Sequence, residues 1–271
     1  MNVIIPDYAV MLKNCLETPG STAVSFLIIN TKGEFMRNVI ARIRVAHSVC
    51  FVFTVLAFAC STVQAREYGN YDPKRILTLS ESPSGTRYGI DLQYLDQIIN
   101  DLSTHARNYP PEFDTHQDRE RAVQNITMLS GMLDILVNDP NPSQQILLRA
   151  GDLNSMGHNL DIAGSAQRAG ASFQKLLAIA PEHPFGNYLY GMFLAETGNP
   201  SQALPYLEKA HTFGVVYADY TLGMIYLSLG DKLKALEHLE AYRKARPEDG
   251  KVSFLIDGIR NGKIEIKSSG L

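Results

Sequence analysis

The amino-acid sequence predicts an all-α fold, a superhelix of stacked helical hairpins, preceded by a short irregular segment or β-hairpin. From Asp91 onward, apolar residues recur three or four positions apart, which is the spacing of one face of an α-helix. Over positions 150–249, small and bulky residues also recur at intervals of 34 and 32 residues. A period of this length indicates a repeat array, in which each hairpin buries its apolar face against its neighbours.

An apolar run at positions 49–59 is predicted to be the core of a secretory signal peptide. It is eleven residues long with Thr54 as its polar member, whereas a spanning helix needs about 20 apolar residues. Three arginines between positions 37 and 44 precede the run, and small residues ending at Ala65 follow it. A charged start, a short apolar middle and a small-residue exit are typical of a cleavable signal.

A signal peptide has to begin at the N-terminus, and Met36 stands directly before the first of these arginines. We therefore predict that translation starts at Met36 and that residues 36–65 are the signal peptide. Residues 1–35 are then an upstream over-extension of the reading frame, and the mature chain is periplasmic or secreted after cleavage near Ala65. The alternatives for the apolar run are a buried core helix and a membrane anchor.

All three cysteines, Cys15, Cys50 and Cys60, precede the predicted cleavage point. The mature chain would therefore contain no disulfide, no cysteine-ligated zinc site and no thiol nucleophile. A lipid anchor at Cys60 is not expected. Lipoprotein signals usually have leucine three residues before the cysteine, and Leu56 stands four before it.

The charge of the mature chain argues against nucleic acid as a partner. Residues 66–271 carry 20 Lys and Arg against 25 Asp and Glu, a net charge of −5 with no basic block. Nucleic-acid binding depends on clustered Lys and Arg that neutralise phosphates. We also expect no membrane span in the mature chain.

The segment 66–90 is rich in Gly, Pro and Ser, and it could form a small β-hairpin. The stretches ILTL and TRYGI flank a SESPSG turn there. An amphipathic helix follows from position 91 and ends before Pro110, and a second runs from about His116 to Val137.

A third helix is predicted to begin at Asn141, which is a good N-cap, with Pro142 in its first turn. The helices of 91–149 are interpreted as a helical cap or a degenerate repeat. The segment 250–271 is interpreted as a capping helix with a tail.

The period between positions 150 and 249 is carried by small and bulky residues in step. The glycines are Gly157, Gly191 and Gly223, the alanines are Ala169, Ala203 and Ala235, and the bulky residues four after each alanine are Phe173, Leu207 and Leu239. A small residue on each helix of a hairpin lets two backbones approach closely, and a bulky residue one turn later fills the remaining gap. Turn signals at Gly198-Asn199-Pro200 and Gly230-Asp231 fall between the helices of the second and third units.

These features resemble the tetratricopeptide repeat, which places Leu-Gly-x-x-Tyr on its first helix and Ala-x-x-x-Phe, then Pro, on its second. The matching stretches are MGHNL at 156–160, YGMFL at 190–194, LGMIY at 222–226, AGASF at 169–173, ALPYL at 203–207 and ALEHL at 235–239. The usual Trp position holds Leu153, Asn187 and Asp219, and the third unit is two residues shorter than the second. The resemblance implies three repeats over 150–249.

No motif of an enzyme, a cofactor site or a metal site is recognised in the sequence. The histidines after the signal are His105, His116, His158, His183, His211 and His238, and they lack the HExxH or H-x-H spacing of a metal site. His158 and Asp161 lie three apart on one predicted helix face, but a catalytic site would need a third partner and a nucleophile. We therefore expect no catalytic residues, no metal and no cofactor.

The resemblance also implies a peptide-binding groove, because the second, fifth, ninth and twelfth places of a tetratricopeptide repeat commonly line the concave face. The residues at these places are Asn154, His158 and Asp161 in the first unit, Phe185, Tyr188, Met192 and Ala195 in the second, and Tyr217, Tyr220, Met224 and Leu227 in the third. The sequence therefore predicts a concave, partly exposed patch of Tyr and Met with a polar end. The alternative is that these residues are core, packed by the next helix.

The function implied by the resemblance is an adaptor or assembly scaffold of the bacterial envelope that binds another polypeptide. The fold alone names no pathway, because it serves many partners. Two alternatives remain at this point. One is a small envelope enzyme with its site in the segment 66–90, and the other is a structural subunit of an envelope complex with an apolar convex face.

Overall fold

The computed structural model describes residues 67–82 and 85–264. The predicted signal peptide, the region 1–35 and all three cysteines lie outside the described residues. The elements in chain order are strands β1 (Leu77–Ser82) and β2 (Gly85–Ile90), and helices α1 (Leu92–Ala106), α2 (His116–Val137), α3 (Gln144–Asn159), α4 (Ser165–Ile179), α5 (Pro184–Glu196), α6 (Pro200–Thr212), α7 (Val216–Ser228), α8 (Lys232–Ala245) and α9 (Gly250–Arg260).

The predicted β-hairpin is present, with longer strands than the sequence pattern indicates. β1 and β2 pair antiparallel from Leu77 opposite Ile90 to Ser82 opposite Gly85. The strands therefore take in most of the residues that were assigned to the turn. A 3-10 turn at Pro73–Ile76 leads into β1.

The segment before the hairpin is part of the core of the N-terminal end. Tyr68 and Ile76 are fully buried among the apolar residues of α1, α2 and α3. The Asn125 side chain donates to the Tyr68 hydroxyl at 2.9 Å, and Asp101 accepts from the Gly69 backbone at 2.8 Å and from the Tyr71 hydroxyl. Burial raises the pKa of the Tyr68 hydroxyl.

α2 has the bounds that the sequence predicts, but the predicted start of α3 is wrong. The N-cap is Ser143 instead of Asn141. The Asn141 backbone N–H donates to the Asp139 carboxylate at 2.8 Å, so this residue closes a turn around Asp139 before the helix begins.

Three helical hairpins stack in succession, α3 with α4, α5 with α6 and α7 with α8. The first helices also contact each other in order, α3 with α5 and α5 with α7, and α9 packs on α8 at the end of the array. Consecutive hairpins with this packing form the all-α superhelix that the sequence predicts. None of the helices in residues 67–82 and 85–264 is both long and apolar enough to cross a membrane.

The predicted close approach of helices is confirmed in the second and third hairpins. A Cβ atom placed on Gly191 would lie 2.6 Å from Leu207 Cγ, and one on Gly223 would lie 2.6 Å from Leu239 Cγ. The glycines are therefore required by the leucines of the facing helix.

In the first hairpin the predicted partner of Phe173 is wrong. Gly151 faces Phe173 there, whereas Gly157 lies against Ser165. The connection between α3 and α4 has five residues, 160–164, while the connection between α5 and α6 has three. A longer connection between antiparallel helices changes which residues stand opposite each other, and this explains the shifted register.

Candidate functional site

The predicted Tyr and Met residues of the groove come together in the structure. Tyr188 and Met192 on α5 and Tyr220 and Met224 on α7 belong to one apolar cluster. The sequence, however, predicts a partly exposed patch, and this is wrong for these four residues, whose exposed fraction is between 4 % and 6 %. Leu227 of the predicted groove is buried in the same cluster.

The burial of Tyr220 has a direct cause in its own hairpin. Its ring meets the ring of Tyr242 on α8 edge to face, with 5.3 Å between centroids. Aromatic rings favour this arrangement, which holds Tyr220 towards the second helix of the hairpin. Periodicity places a residue on one side of a helix, but it does not show whether a neighbouring aromatic ring covers it.

The accessible part of the predicted groove lies around this cluster. Tyr217 and Ala195 pack against the cluster and are half-buried, and Phe185 at the start of α5 is 40 % exposed. Arg246 lies with its guanidinium carbon 5.4 Å from the centre of the Tyr217 ring and donates to the Tyr217 hydroxyl. Tyr217 therefore presents an aromatic face next to a cation.

Asn154 is not available to a ligand, contrary to the prediction. It is 1 % exposed, and its carbonyl oxygen accepts from Ser130 Oγ at 2.6 Å and from Arg168 Nε at 3.2 Å. Its amide nitrogen donates to the Ala150 carbonyl oxygen. A buried side chain with these bonds links α2, α3 and α4 and is structural.

The two residues of the predicted polar end, His158 and Asp161, lie in different environments. Asp161 is not on the helix that carries His158, because α3 ends at Asn159 and Asp161 has a left-handed backbone with φ of 62°. Asp161 is exposed and lies 3.6 Å from Arg119 of α2. His158 is half-buried and meets Phe193 of α5 edge to face, with 6.3 Å between centroids.

A buried charged group joins the end of α1 to the array. Arg107 forms two hydrogen bonds with Asp152 of α3, one of them 3.0 Å between Nη2 and Oδ2. Asn159 donates to the carbonyl oxygens of Ala106 and Arg107. Beside this group, burial raises the pKa of the Glu196 carboxyl to about 8, against the opposing effect of the Arg107 charge.

The structure also gathers three residues that the sequence analysis does not connect, His211, Asp219 and His238. Both histidines place Nδ1 near the same carboxylate oxygen of Asp219, His211 at 3.0 Å and His238 at 2.9 Å. One ligand atom from each residue lies within 4.8 Å of the other two. The sequence gives no local motif for this group, because its residues come from three helices that meet only in the folded chain.

Several apolar side chains on helices outside the layer of α3, α5 and α7 are exposed. Ile135 on α2, Ile179 on α4, Leu233 on α8 and Phe254 on α9 are exposed. Isolated exposed apolar residues are ordinary on a protein surface, so they do not by themselves mark an interface.

Comparison with known proteins supports the interpretation of the repeats. The family model described as Tetratricopeptide repeat matches residues 220–249, which cover most of α7 and all of α8. The third hairpin resembles a tetratricopeptide repeat. Tetratricopeptide repeat protein 21A of Mus musculus is 27 % identical over 139 residues, which are 49 % of this chain and 11 % of the mouse protein. No solved structure matches the chain.

These two matches show a similarity to tetratricopeptide repeats. The chain spans about a ninth of the length of the mouse relative, so the similarity concerns the repeats. The family match falls on the third hairpin, and the first two hairpins precede it in the same stack.

Proposed function

We propose that this protein is an adaptor or assembly scaffold that binds a segment of another polypeptide along the layer formed by α3, α5 and α7. The observation that carries the proposal is the contact of these first helices in order, which produces one continuous surface over three hairpins. Extended concave surfaces of this kind are what helical repeat proteins use for binding. The similarity to tetratricopeptide repeats agrees with a polypeptide partner.

The partner contacts the accessible residues around the Tyr and Met cluster. Tyr217 and Ala195 contact the partner directly, and Phe185 extends the surface along α5. The buried Met192 and Met224 lie beneath as adaptable packing, since Met side chains adjust to uneven neighbours. Tyr217 is the expected anchor, because Tyr gives a large contact area at low entropic cost.

The test is site-specific photo-crosslinking with the full chain. A photoreactive phenylalanine analogue at Tyr217 is expected to form a covalent adduct with one partner polypeptide in cells that express the protein. The control position is Leu233, which is 83 % exposed. It lies on α8, the second helix of its hairpin, and therefore outside the proposed surface. Equal adducts from both positions, or adducts from Leu233 alone, would show that α3, α5 and α7 do not form the binding surface.

We propose further that the adaptor works in the bacterial envelope. The proposal rests on the signal-like sequence at 36–65. Fractionation is expected to recover the processed protein with periplasmic markers or in the medium. Recovery of the unprocessed chain with cytosolic markers would contradict the location and leave the polypeptide-binding proposal to be decided by the crosslinking.

The two alternative functions have no comparable observation in their favour. In the segment 66–90, Tyr68 and Ile76 are buried in the N-terminal core, and no observation on the described residues of this segment points to a catalytic site. A structural subunit would need a continuous apolar convex face, and the exposed apolar residues named above are spread over α2, α4, α8 and α9.

A further inference from the structure

We propose that His211, Asp219 and His238 form a binding site for a divalent transition metal ion, with zinc as the expected ion. The site lies at the junction of the second and third hairpins, and its three residues come from α6, α7 and α8. This inference does not rest on the proposed adaptor function.

The donor set fits the proposed ion. Two imidazole nitrogens and a carboxylate oxygen are ligands that zinc takes in proteins, and three protein ligands leave a fourth position open. The two Nδ1 atoms lie 3.0 Å and 2.9 Å from the same Asp219 oxygen. Ligand atoms about 2.0–2.2 Å from a tetrahedral ion stand roughly 3.3 Å apart, so a small adjustment would place one ion between them.

The equivalent positions one repeat earlier also lie close together in space. One unit earlier in the array, the corresponding residues are Leu177, Asn187 and Tyr206, and all three line one open surface pocket. The first junction between hairpins therefore forms a recess that these three positions line. Where the first junction has Leu, Asn and Tyr, the second has His, Asp and His.

The surroundings of the site hold its ligands in place. The His238 ring stacks on the Tyr226 ring, with 5.6 Å between centroids and 6° between planes, and the Tyr226 hydroxyl donates to Glu208 of α6. The His211 ring meets the His238 ring edge to face at 5.5 Å. Asp219 is buried, whereas His211 is exposed, so the ligands are fixed from inside and open to solvent on the His211 side. Fixed ligand orientation of this kind increases metal affinity.

A bound ion would join three helices at the junction where the interval between repeats is 32 residues instead of 34. An ion that binds only the folded chain also stabilises it. The site therefore connects metal availability to the rigidity of the array at this junction.

The test is zinc binding by the full chain without a histidine tag, stripped of metal with EDTA and with its three thiols alkylated. Equilibrium dialysis followed by elemental analysis is expected to give one zinc ion per chain, and zinc is expected to raise the melting temperature. His211→Gln, Asp219→Asn and His238→Gln should each weaken zinc binding by at least about tenfold, since even changes beside the ligands cost that much.

The matched control is His116→Gln, a change at an exposed histidine of α2 outside the cluster. It is expected to bind zinc as the unchanged protein does. His211→Gln is the decisive variant because His211 is exposed and Asp219 keeps its contact with His238, so the metal-free melting temperature should stay within a few degrees of that of the unchanged protein. Absence of saturable zinc binding, or equal binding by His211→Gln and His116→Gln, would overturn the proposal.

Discussion

At the scale of single residues, the separation of the two helices in a hairpin depends on which residue faces a glycine. Gly191 and Gly223 each accept a leucine of the facing helix at a distance that a Cβ atom would not permit. Ala203 and Ala235 complete the contact, because both are fully buried and their backbone oxygens lie next to these glycines. The hairpin therefore has no room for additional side-chain atoms at this point.

Ala203→Leu is expected to destabilise the protein by about 1–3 kcal/mol, because the added atoms overpack the contact between α5 and α6. Urea denaturation of the full chain measures the change. Gln202→Leu is the matched control, since Gln202 is the exposed neighbour on the same helix. Equal stabilities of Ala203→Leu and the unchanged protein would show that the helix contact is elsewhere.

Glu196 gives a second prediction at this scale, on the pH dependence of stability. Burial raises the pKa of its carboxyl to about 8 in the folded chain, so the folded chain holds this proton more tightly than the unfolded chain does. The contribution to stability is complete below the unfolded pKa of about 4.5 and is lost as the pH rises to about 8.

Glu196→Gln replaces the protonated carboxyl by a neutral group and should remove this loss. We expect the variant and the unchanged protein to have similar free energies of unfolding near about pH 5, and the variant to be the more stable near about pH 8.5. A variant that loses stability relative to the unchanged protein as the pH rises would mean that the pKa of Glu196 is not raised in the folded chain.

Predictions about single residues were confirmed where the same contact recurs in successive repeats. They were wrong where the outcome depends on whether a side chain is buried. The close approach of Gly191 and Leu207 follows from a regular period. The burial of Tyr220 depends on Tyr242, which is 22 positions away, and the bonding of Asn154 depends on Ser130 and Arg168. Such partners are known only when the helices are assembled.

At the scale of elements, helix starts depend on whether an N-cap side chain reaches a backbone N–H. Thr115 begins α2 with its hydroxyl accepting from the Asp118 backbone, whereas the Ser143 side chain makes no capping hydrogen bond at the start of α3. The two positions have similar side chains and different bonding, so they form a matched pair.

Thr115→Ala should lower the free energy of unfolding by about 1 kcal/mol, because the Asp118 N–H loses its partner. Ser143→Ala should have a smaller effect, since no capping bond is lost. Chemical denaturation of both variants measures the difference. A larger loss in Ser143→Ala than in Thr115→Ala would contradict this description of the two helix starts.

The elements themselves could be predicted well because their periodicity is local. The second helix has the bounds expected from its apolar residues, and the β-hairpin is present. The start of α3 and the register of the first hairpin could not be predicted, because they depend on a turn around Asp139 and on a longer connection at 160–164. The cluster of His211, Asp219 and His238 also escaped prediction, since it joins three helices.

At the scale of the whole molecule, the first helices of the three hairpins form one layer. The junctions between successive hairpins carry different side chains. α3, α5 and α7 provide the surface proposed for a polypeptide, whereas α6, α7 and α8 hold the proposed metal site. The two proposals use different residues of the array, so each can be tested with variants that leave the other unchanged.

Maturation gives a prediction about the whole chain. If translation starts at Met36 and cleavage follows Ala65, N-terminal sequencing of the exported protein should begin at Arg66. The reason is the order of arginines, apolar run and small residues in the leader. Recovery of a stable exported protein that retains the region 1–35 would contradict this start and this cleavage point.

A substitution at Tyr220 would not test binding separately from fold stability. Tyr220→Ala would remove the ring that packs against Tyr242, so a loss of fold stability of roughly 3 kcal/mol is expected together with any loss of binding. Tyr217 is half-buried at the edge of the same cluster, and its truncation affects the accessible surface more directly.

The most direct test of the central claim is the affinity of the full chain for a peptide selected against it from a random library. The dissociation constant, measured by fluorescence anisotropy, should rise about thirtyfold in Tyr217→Ala, which corresponds to roughly 2 kcal/mol for an aromatic hot spot. It should stay unchanged in Leu233→Ala, and both variants should keep the melting temperature within a few degrees of the unchanged protein. A selected peptide that binds all three proteins equally, or a selection that yields no peptide, would contradict the assignment of α3, α5 and α7 as a polypeptide-binding surface.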